Sequence, residues 1–165
     1  MKKIWVLLVC ALFLSGCSVR ETMETISDDH AVSGNALAAQ VKLTLPEEAA
    51  APSMEATDGS KIYLCDGYAV IVQTLSGGDL EKTIREVSGF SKEDLTVMQT
   101  VKNGAACYEF VWTTAGEGQD QTCRAVILDD GNYHYAVTVM ADYAQAGELA
   151  STWQSLLNSV SLHTD

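Results

Sequence analysis

The sequence predicts an α+β domain: an antiparallel sheet of about six strands, in the order strand-strand-helix-four strands-helix, with helices covering both faces. Three observations lead there. The dipeptides Asp66-Gly67, Asn103-Gly104 and Asp130-Gly131 each sit between two strand-like runs, and such pairs accept the positive φ that type I′ hairpin turns require. Two segments place apolar residues at helical spacing. The middle strands are apolar on both faces, whereas a sheet with one wet face alternates cleanly, so each face needs a cover.

In chain order, a short strand is expected at 41–45. Residues 60–65 and 68–75 then form the first hairpin around Asp66-Gly67. In 79–89, Leu80, Ile84 and Val87 fall on one helical face, and Asp79 is placed to cap it after the flexible Ser76-Gly77-Gly78. Two further hairpins follow, 94–102 with 105–114 and 121–129 with 132–140. The last helix spans 143–160, with Leu149, Trp153, Leu156 and Val160 in one stripe.

Turn geometry fixes registers. Around Asn103-Gly104, Val101 faces Ala106, Gln99 faces Tyr108, Val97 faces Phe110 and Leu95 faces Trp112. Leu95, Val97, Tyr108, Phe110 and Trp112 then share one face. Ala125 is expected beside Phe110 and Arg124 beside Val111. Around Asp130-Gly131, Leu128 faces Tyr133, Val126 faces Tyr135 and Arg124 faces Val137. The second face thus collects Val111, Val126, Leu128, Tyr133, Tyr135, Val137 and Val139.

The N-terminus carries a different signal. Lys2 and Lys3 precede an apolar run from Ile4 to Leu14, and Ser15-Gly16-Cys17 follows. A basic start, a short apolar core and small residues at the end are signal-peptide anatomy. Spanning a bilayer takes about 20 apolar residues, so this run is too short for an anchor left uncut. Leu14-Ser15-Gly16-Cys17 resembles the lipobox of bacterial lipoproteins. The resemblance implies cleavage between Gly16 and Cys17, removal of residues 1–16, and a diacylglyceryl group on the Cys17 thiol. More than one acyl chain gives stable attachment, which implies a lipid-anchored protein on the extracytoplasmic face of the cell membrane. Residues 18–40 are polar and acidic without apolar periodicity and read as a flexible tether, with a reach of about 25–30 Å. The domain itself is expected over 41–165.

Formal net charge is −12. With Lys2 and Lys3 removed, 8 basic residues face 22 acidic ones, a net −14. An acidic surface repels phosphate backbones, so no nucleic-acid partner is expected. Five cysteines are present. Cys10 leaves with the signal and Cys17 takes the lipid. Cys65, Cys107 and Cys123 remain, an odd number with no CxxC spacing. The registers put Cys107 and Cys123 on opposite faces of the sheet, which disfavours a disulfide between them. Cys65 depends on a strand order that the sequence does not reveal. Buried free thiols acting as small hydrophobes are expected.

The element order, Leu45-Pro46 near the domain start, and the ending from Tyr135-Ala-Val-Thr-Val-Met through Leu149-Ala-Ser-Thr-Trp153 to Leu162 resemble the PsbP-like fold over about residues 41–162. The resemblance implies an α/β/α sandwich and a non-enzymatic accessory or binding role. It carries no catalytic signature.

Searching for chemistry gives little. His30 lies in the tether and His163 in the C-terminal tail, while His134 follows a turn and reads as an edge or surface histidine. No nucleophile-elbow motif accompanies it. Four zinc ligands cannot be gathered from singly placed Cys65, Cys107, Cys123 and His134. Asp129-Asp130-Gly131-Asn132 lacks calcium-loop spacing and reads as a turn. Glu47-Glu48 and Asp28-Asp29 lie in flexible segments. No metal or cofactor is therefore expected. The aromatic residues on strands read mainly as packing. If a ligand site exists, Tyr63 and Tyr68 beside Asp66-Gly67, and the loop 116–119, are the best-placed exposed elements. The expected partners are the membrane, through the lipid on Cys17, and an envelope protein or small ligand. The alternatives are a hydrolase or metal-dependent enzyme with an unrecognised site, or a purely structural envelope protein.

Overall fold

The computed structural model describes residues 37–115 and 120–163. The signal segment, Gly16 and Cys17, most of the tether and the loop 116–119 lie outside the described residues. In chain order come β1 (Gln40–Lys42), β2 (Met54–Glu55), β3 (Lys61–Cys65), β4 (Tyr68–Ser76), α1 (Leu80–Ser88), β5 (Met98–Lys102), β6 (Ala105–Thr114), β7 (Gln121–Asp129), β8 (Tyr133–Asp142), α2 (Tyr143–Ser159) and β9 (Ser161–His163). Seven strands form one antiparallel sheet in the order β2-β3-β4-β8-β7-β6-β5, and β1 pairs with β9 in a separate two-stranded ribbon. The domain is α+β, as expected, but about six strands was too few. The two-residue β2 and the terminal β9 are too short to show a period-2 pattern. The tail residue His163 is part of β9, opposite Gln40. Glu47 and Glu48, read as flexible, open a 3-10 turn over Glu47–Ala49.

The sheet is built around β8, whose sequence YHYAVTVMAD is buried along nearly its whole length. Its odd-numbered residues face α2. Tyr135, Val137 and Val139 join Val70, Val126, Leu128, Cys107, Trp153, Leu156, Leu157 and Val160 in one core. Each such side chain contributes about 1.5–3 kcal/mol when fully buried. Even-numbered Ala136 joins Ile84, Phe110, Trp112, Cys123, Ala125 and Ile127 under α1, with Leu95 and Val97 packed alongside. Small residues at 125 and 136 leave room for Phe110 and Trp112, whose rings stack at 5.3 Å. One helix per face is therefore the arrangement found.

Local signals explain the helix ends. Asp79 Oδ1 accepts from the Lys82 N–H at 2.9 Å, which caps α1. Gly89, at φ 80°, ends it in the left-handed conformation. Lys102 Nζ donates to the carbonyls of Leu157 and Asn158 at 3.1 and 2.7 Å, a cation on the negative end of α2. Gly77 is required by a close approach: a Cβ there would lie 2.7 Å from the Asn132 carbonyl.

Most registers hold. Val101 faces Ala106 and Gln99 faces Tyr108, while Phe110 faces Ala125 and Val111 faces Arg124. Asn103 and Gly104 both have positive φ, as a type I′ turn demands. Two expectations change. Strand β5 begins at Met98, because Lys92–Asp94 forms a 3-10 turn and Leu95 and Val97 pack as loop residues. The hairpin after Asp129 is wider than a two-residue turn. Leu128 faces Tyr135, Val126 faces Val137 and Arg124 faces Val139. Four residues, 130–133, lie inside the closing pair Asp129–His134, because two aspartates fold the loop. Asp129 Oδ1 accepts from Gly131 N, and Asp130 Oδ1 accepts from the N–H groups of Asn132 and Tyr133. A slip of two residues keeps every side chain on its face, so the face assignments survive. Val111 sits on the expected face but is 53% exposed, because α2 covers only the middle of the sheet.

Candidate functional site

Tyr68 is the most informative polar residue. It was expected at an exposed turn, yet it is 8% exposed and belongs to the α2-side core. Tyr68 faces Cys65 across the first hairpin, so it shares a face with Val70 and Val72. Its hydroxyl is buried and has no hydrogen bond of good geometry, with only the weakly accepting Cys65 thiol beside it. Burial, then that thiol and the nearby Glu48 charge, push the Tyr68 phenol well above its ordinary value. A buried hydroxyl without a partner costs about 1–3 kcal/mol. Tyr63 is half-buried at the margin of the same core.

Tyr68 forms part of an open cleft of about 450 Å³ between residues 44–46 and α2. Leu45, Pro46 and Leu156 supply its apolar surface, and Thr44, Ser151, Thr152 and Ser155 supply hydroxyls. Among the described residues no charged side chain lines it. The wall at residues 44–46 is held in place by the β1–β9 ribbon and by Thr44 N–H donating to Ser159 Oγ at 2.8 Å. Tyr63 contributes instead to a separate cleft with Val41, Leu43 and Lys61. The two tyrosines thus lie diagonally on one sheet face but serve different depressions. Two other buried polar atoms, Thr138 Oγ1 and Trp153 Nε1, also lack partners among the described residues, but neither lines the Tyr68 cleft.

A second polar cluster is complete in itself. His134, expected at an edge or surface, is 1% exposed on the central strand. Its Nδ1 meets Thr83 Oγ1 at 2.6 Å, and its Nε2 lies 3.5 Å from Asp129 Oδ2. The order hydroxyl, imidazole, carboxylate resembles a nucleophilic relay. Thr83 is itself 2% exposed beneath α1, so no substrate atom can reach its hydroxyl. The cluster pins α1 to the sheet.

A third polar tie anchors the start of the domain. Ala39 N–H donates to Tyr135 Oη at 2.8 Å, and Tyr135 Oη donates to Asp130 Oδ2 at 2.8 Å. Burial, and then the Asp130 hydrogen bond, push the Tyr135 phenol up to about 12. Burial alone would raise the Asp130 carboxyl, but the Tyr133 N–H, the Tyr135 hydroxyl and the Asn132 N–H outweigh it and hold the group below its ordinary value. This tie fastens Ala39, near the end of the segment read as a tether, to the central strand.

The three described cysteines carry free thiols. Cys107 and Cys123 are buried on opposite faces, while Cys65 is only half-buried. Burial pushes the Cys123 thiol up to about 11 and raises Cys65, so both are protonated and poorly nucleophilic near neutrality. Among the described residues no cluster of His, Cys, Asp and Glu is arranged to hold a metal ion, and no described helix is long and apolar enough to cross a membrane.

The sequence carried a signal for Tyr68 that turn proximity obscured: counting back by twos from Val72 and Val70 puts Tyr68 on the core face. His134 could not be placed without the strand order, which makes β8 central.

No protein-family model matches the chain, and no curated protein sequence matches it. Among solved structures, one from Bacteroides thetaiotaomicron VPI-5482 aligns with a TM-score of 0.51 at 10% identity, over 76% of this chain and 46% of that one. The chain spans about half the length of that protein. LpqN of Mycobacterium tuberculosis, involved in cell envelope biogenesis, aligns with a TM-score of 0.47 at 9% identity, over 80% of this chain and 88% of LpqN. Cyanobacterial PsbP from Synechocystis sp. PCC 6803 aligns at 0.41 and 10% identity, over 79% of this chain and 96% of that protein. Of these three, the Bacteroides structure alone reaches a TM-score of 0.5, and at 10% identity it is a likeness of fold, which does not fix function.

Proposed function

We propose that this chain is a lipid-anchored extracytoplasmic protein that acts by binding, without catalysis, and that its ligand site is the cleft at Tyr68. One observation carries the binding reading: a phenol hydroxyl buried without a proper partner where an open cleft meets the core. The Tyr68 oxygen is covered in this structure, so a ligand reaches it by displacing the wall at residues 44–46, and the hydrogen bond it then offers recovers the cost of leaving the hydroxyl unpaired. The uncharged lining and the ring of hydroxyls suit a small neutral molecule with amide or hydroxyl groups and an apolar edge. The anchoring reading rests on Leu14-Ser15-Gly16-Cys17 behind the short apolar run.

Both readings are open to test. Titration of the chain with neutral probes such as N-methylacetamide and glycerol, followed by NMR, is expected to shift signals of Thr44, Tyr68 and Ser155, and Tyr68→Phe is expected to abolish the shifts. Shifts scattered over the surface, or unchanged in the variant, would refute the site. For the anchor, Cys17→Ala or globomycin treatment is expected to leave an uncleaved, unlipidated precursor. Unchanged mass and detergent partitioning would refute lipidation. An enzyme remains the second reading only if polar groups with catalytic geometry converge in a cleft. In the Thr83-His134-Asp129 cluster the hydroxyl and the imidazole are buried, so it does not meet that condition.

A further inference from the structure

The two edges of the large sheet differ. On one side β2 is two residues long and ends in Glu55, and shortness and charge are common ways of protecting an edge. On the other side β5 runs five residues, MQTVK, with no proline. Its one charge, Lys102, is drawn away to the α2 carbonyls. Val101 is 76% exposed and Met98 55%.

Hairpin geometry says which backbone groups are open. In a two-residue turn the closing pair, here Lys102 with Ala105, exchanges both ladder hydrogen bonds, and bonded and non-bonded pairs then alternate. Lys102, Thr100 and Met98 therefore bond to β6, while the N–H and C=O groups of Gln99 and Val101 point outward. Beside this edge lies a cleft of about 400 Å³ that includes Asp94, Leu95, Met98, Val111, Glu109 and Arg124. Arg124 pairs with Glu109. The exposed Asp94 carboxylate has no ion-pair or hydrogen-bond partner among the described residues.

We propose that β5 is a docking edge for an extended segment of a basic partner protein, which adds an eighth strand along Gln99 and Val101 and sets a cationic side chain against Asp94. Main-chain hydrogen bonds supply the attachment, and the cleft selects an apolar residue followed by a cation. Pairing with a second copy is opposed by the charge of −12 carried by each chain. The proposal stands independently of the Tyr68 cleft.

The test uses the full chain in detergent micelles with two blocked seven-residue peptides, Lys-Val-Thr-Val-Thr-Val-Lys and its glutamate counterpart. The lysine peptide is expected to slow hydrogen exchange at the Gln99 and Val101 amides by about tenfold or more, and the glutamate peptide to bind more weakly. Val101→Pro removes an outward N–H and no ladder bond, so it is expected to abolish peptide binding while the fold persists. Asp94→Lys leaves the strand intact and is expected to weaken the lysine peptide by about two- to fivefold at low salt. Equal binding of both peptides, or binding indifferent to both substitutions, would overturn the proposal. So would amides already protected without peptide, whether with concentration (a second copy) or without it (this chain's own N-terminal segment). If Val101→Pro unfolds, Asp94→Lys and the peptide pair still decide the outcome.

Discussion

The Thr83-His134-Asp129 cluster and the Tyr68 cleft are both buried polar regions against the same sheet, and they are built oppositely. Under α1, the imidazole has a partner for each ring nitrogen, and the imidazole and the Thr83 hydroxyl are buried while the Asp129 carboxylate reaches solvent at the sheet's end. Under α2, the buried Tyr68 hydroxyl has a thiol beside it and an open cleft alongside. Completed polar groups hold a fold together, whereas an incomplete one next to open space is where a fold reserves an interaction. Residue type alone points the other way, since a histidine flanked by a hydroxyl and a carboxylate looks more like chemistry than a tyrosine in a hairpin does.

The largest expected effect comes from breaking the closed cluster. His134→Ala removes a buried ring and strands the Thr83 hydroxyl, and should cost about 3 kcal/mol in urea unfolding. A loss below about 1 kcal/mol would mean that the cluster does not hold α1 to the sheet. Next come the helix ends. Lys102→Met and Asp79→Ala should each cost about 1 kcal/mol, with the loss of protection confined to α2 and α1 respectively in hydrogen exchange. These calibrate the scale on which the polar clusters are compared.

The Ala39-Tyr135-Asp130 tie sharpens the comparison through pH. Asp130 is held below its ordinary 3.8, so its contribution is present above that value and is lost as pH falls through the lower folded one. Tyr135 is raised from 10.0 to about 12, so its contribution is complete below pH 10 and is lost as pH rises towards 12. Stability should therefore fall at both extremes. Asp130→Asn should flatten the acid limb, and Tyr135→Phe the alkaline limb. An acid limb unchanged by Asp130→Asn would show that the tie carries no stability. The smallest effect should be that of Tyr68→Phe, near zero or stabilising by up to about 1 kcal/mol, because it deletes an unsatisfied group.

Much of the fold was legible. Asn103-Gly104 set its turn and register, and period-2 counting put Phe110, Trp112 and Cys123 on one face and Cys107 on the other. The third Asx-Gly hairpin, at Asp130-Gly131, misled by two residues, because Asp129 and Asp130 use their side chains to build a wider loop, with Asp130 also held by the Tyr135 hydroxyl. Strand order was not legible: nothing local says that β4 and β7 flank β8, and that central place is what buries His134. The orphaned state of Tyr68 was equally hidden, since it depends on residues 44–46 and α2 meeting over the hairpin. Gly16 and Cys17 remain a sequence-level inference, outside the described residues.

The most direct test is a paired unfolding measurement of Thr83→Val and Tyr68→Phe, each of which deletes one buried hydroxyl. Thr83→Val strands His134 Nδ1 and should cost about 1–3 kcal/mol, while Tyr68→Phe should cost nothing or stabilise. A Tyr68→Phe loss equal to that of Thr83→Val would mean that the Tyr68 hydroxyl is already satisfied within the fold, which would contradict the reading of its cleft as a site awaiting a ligand.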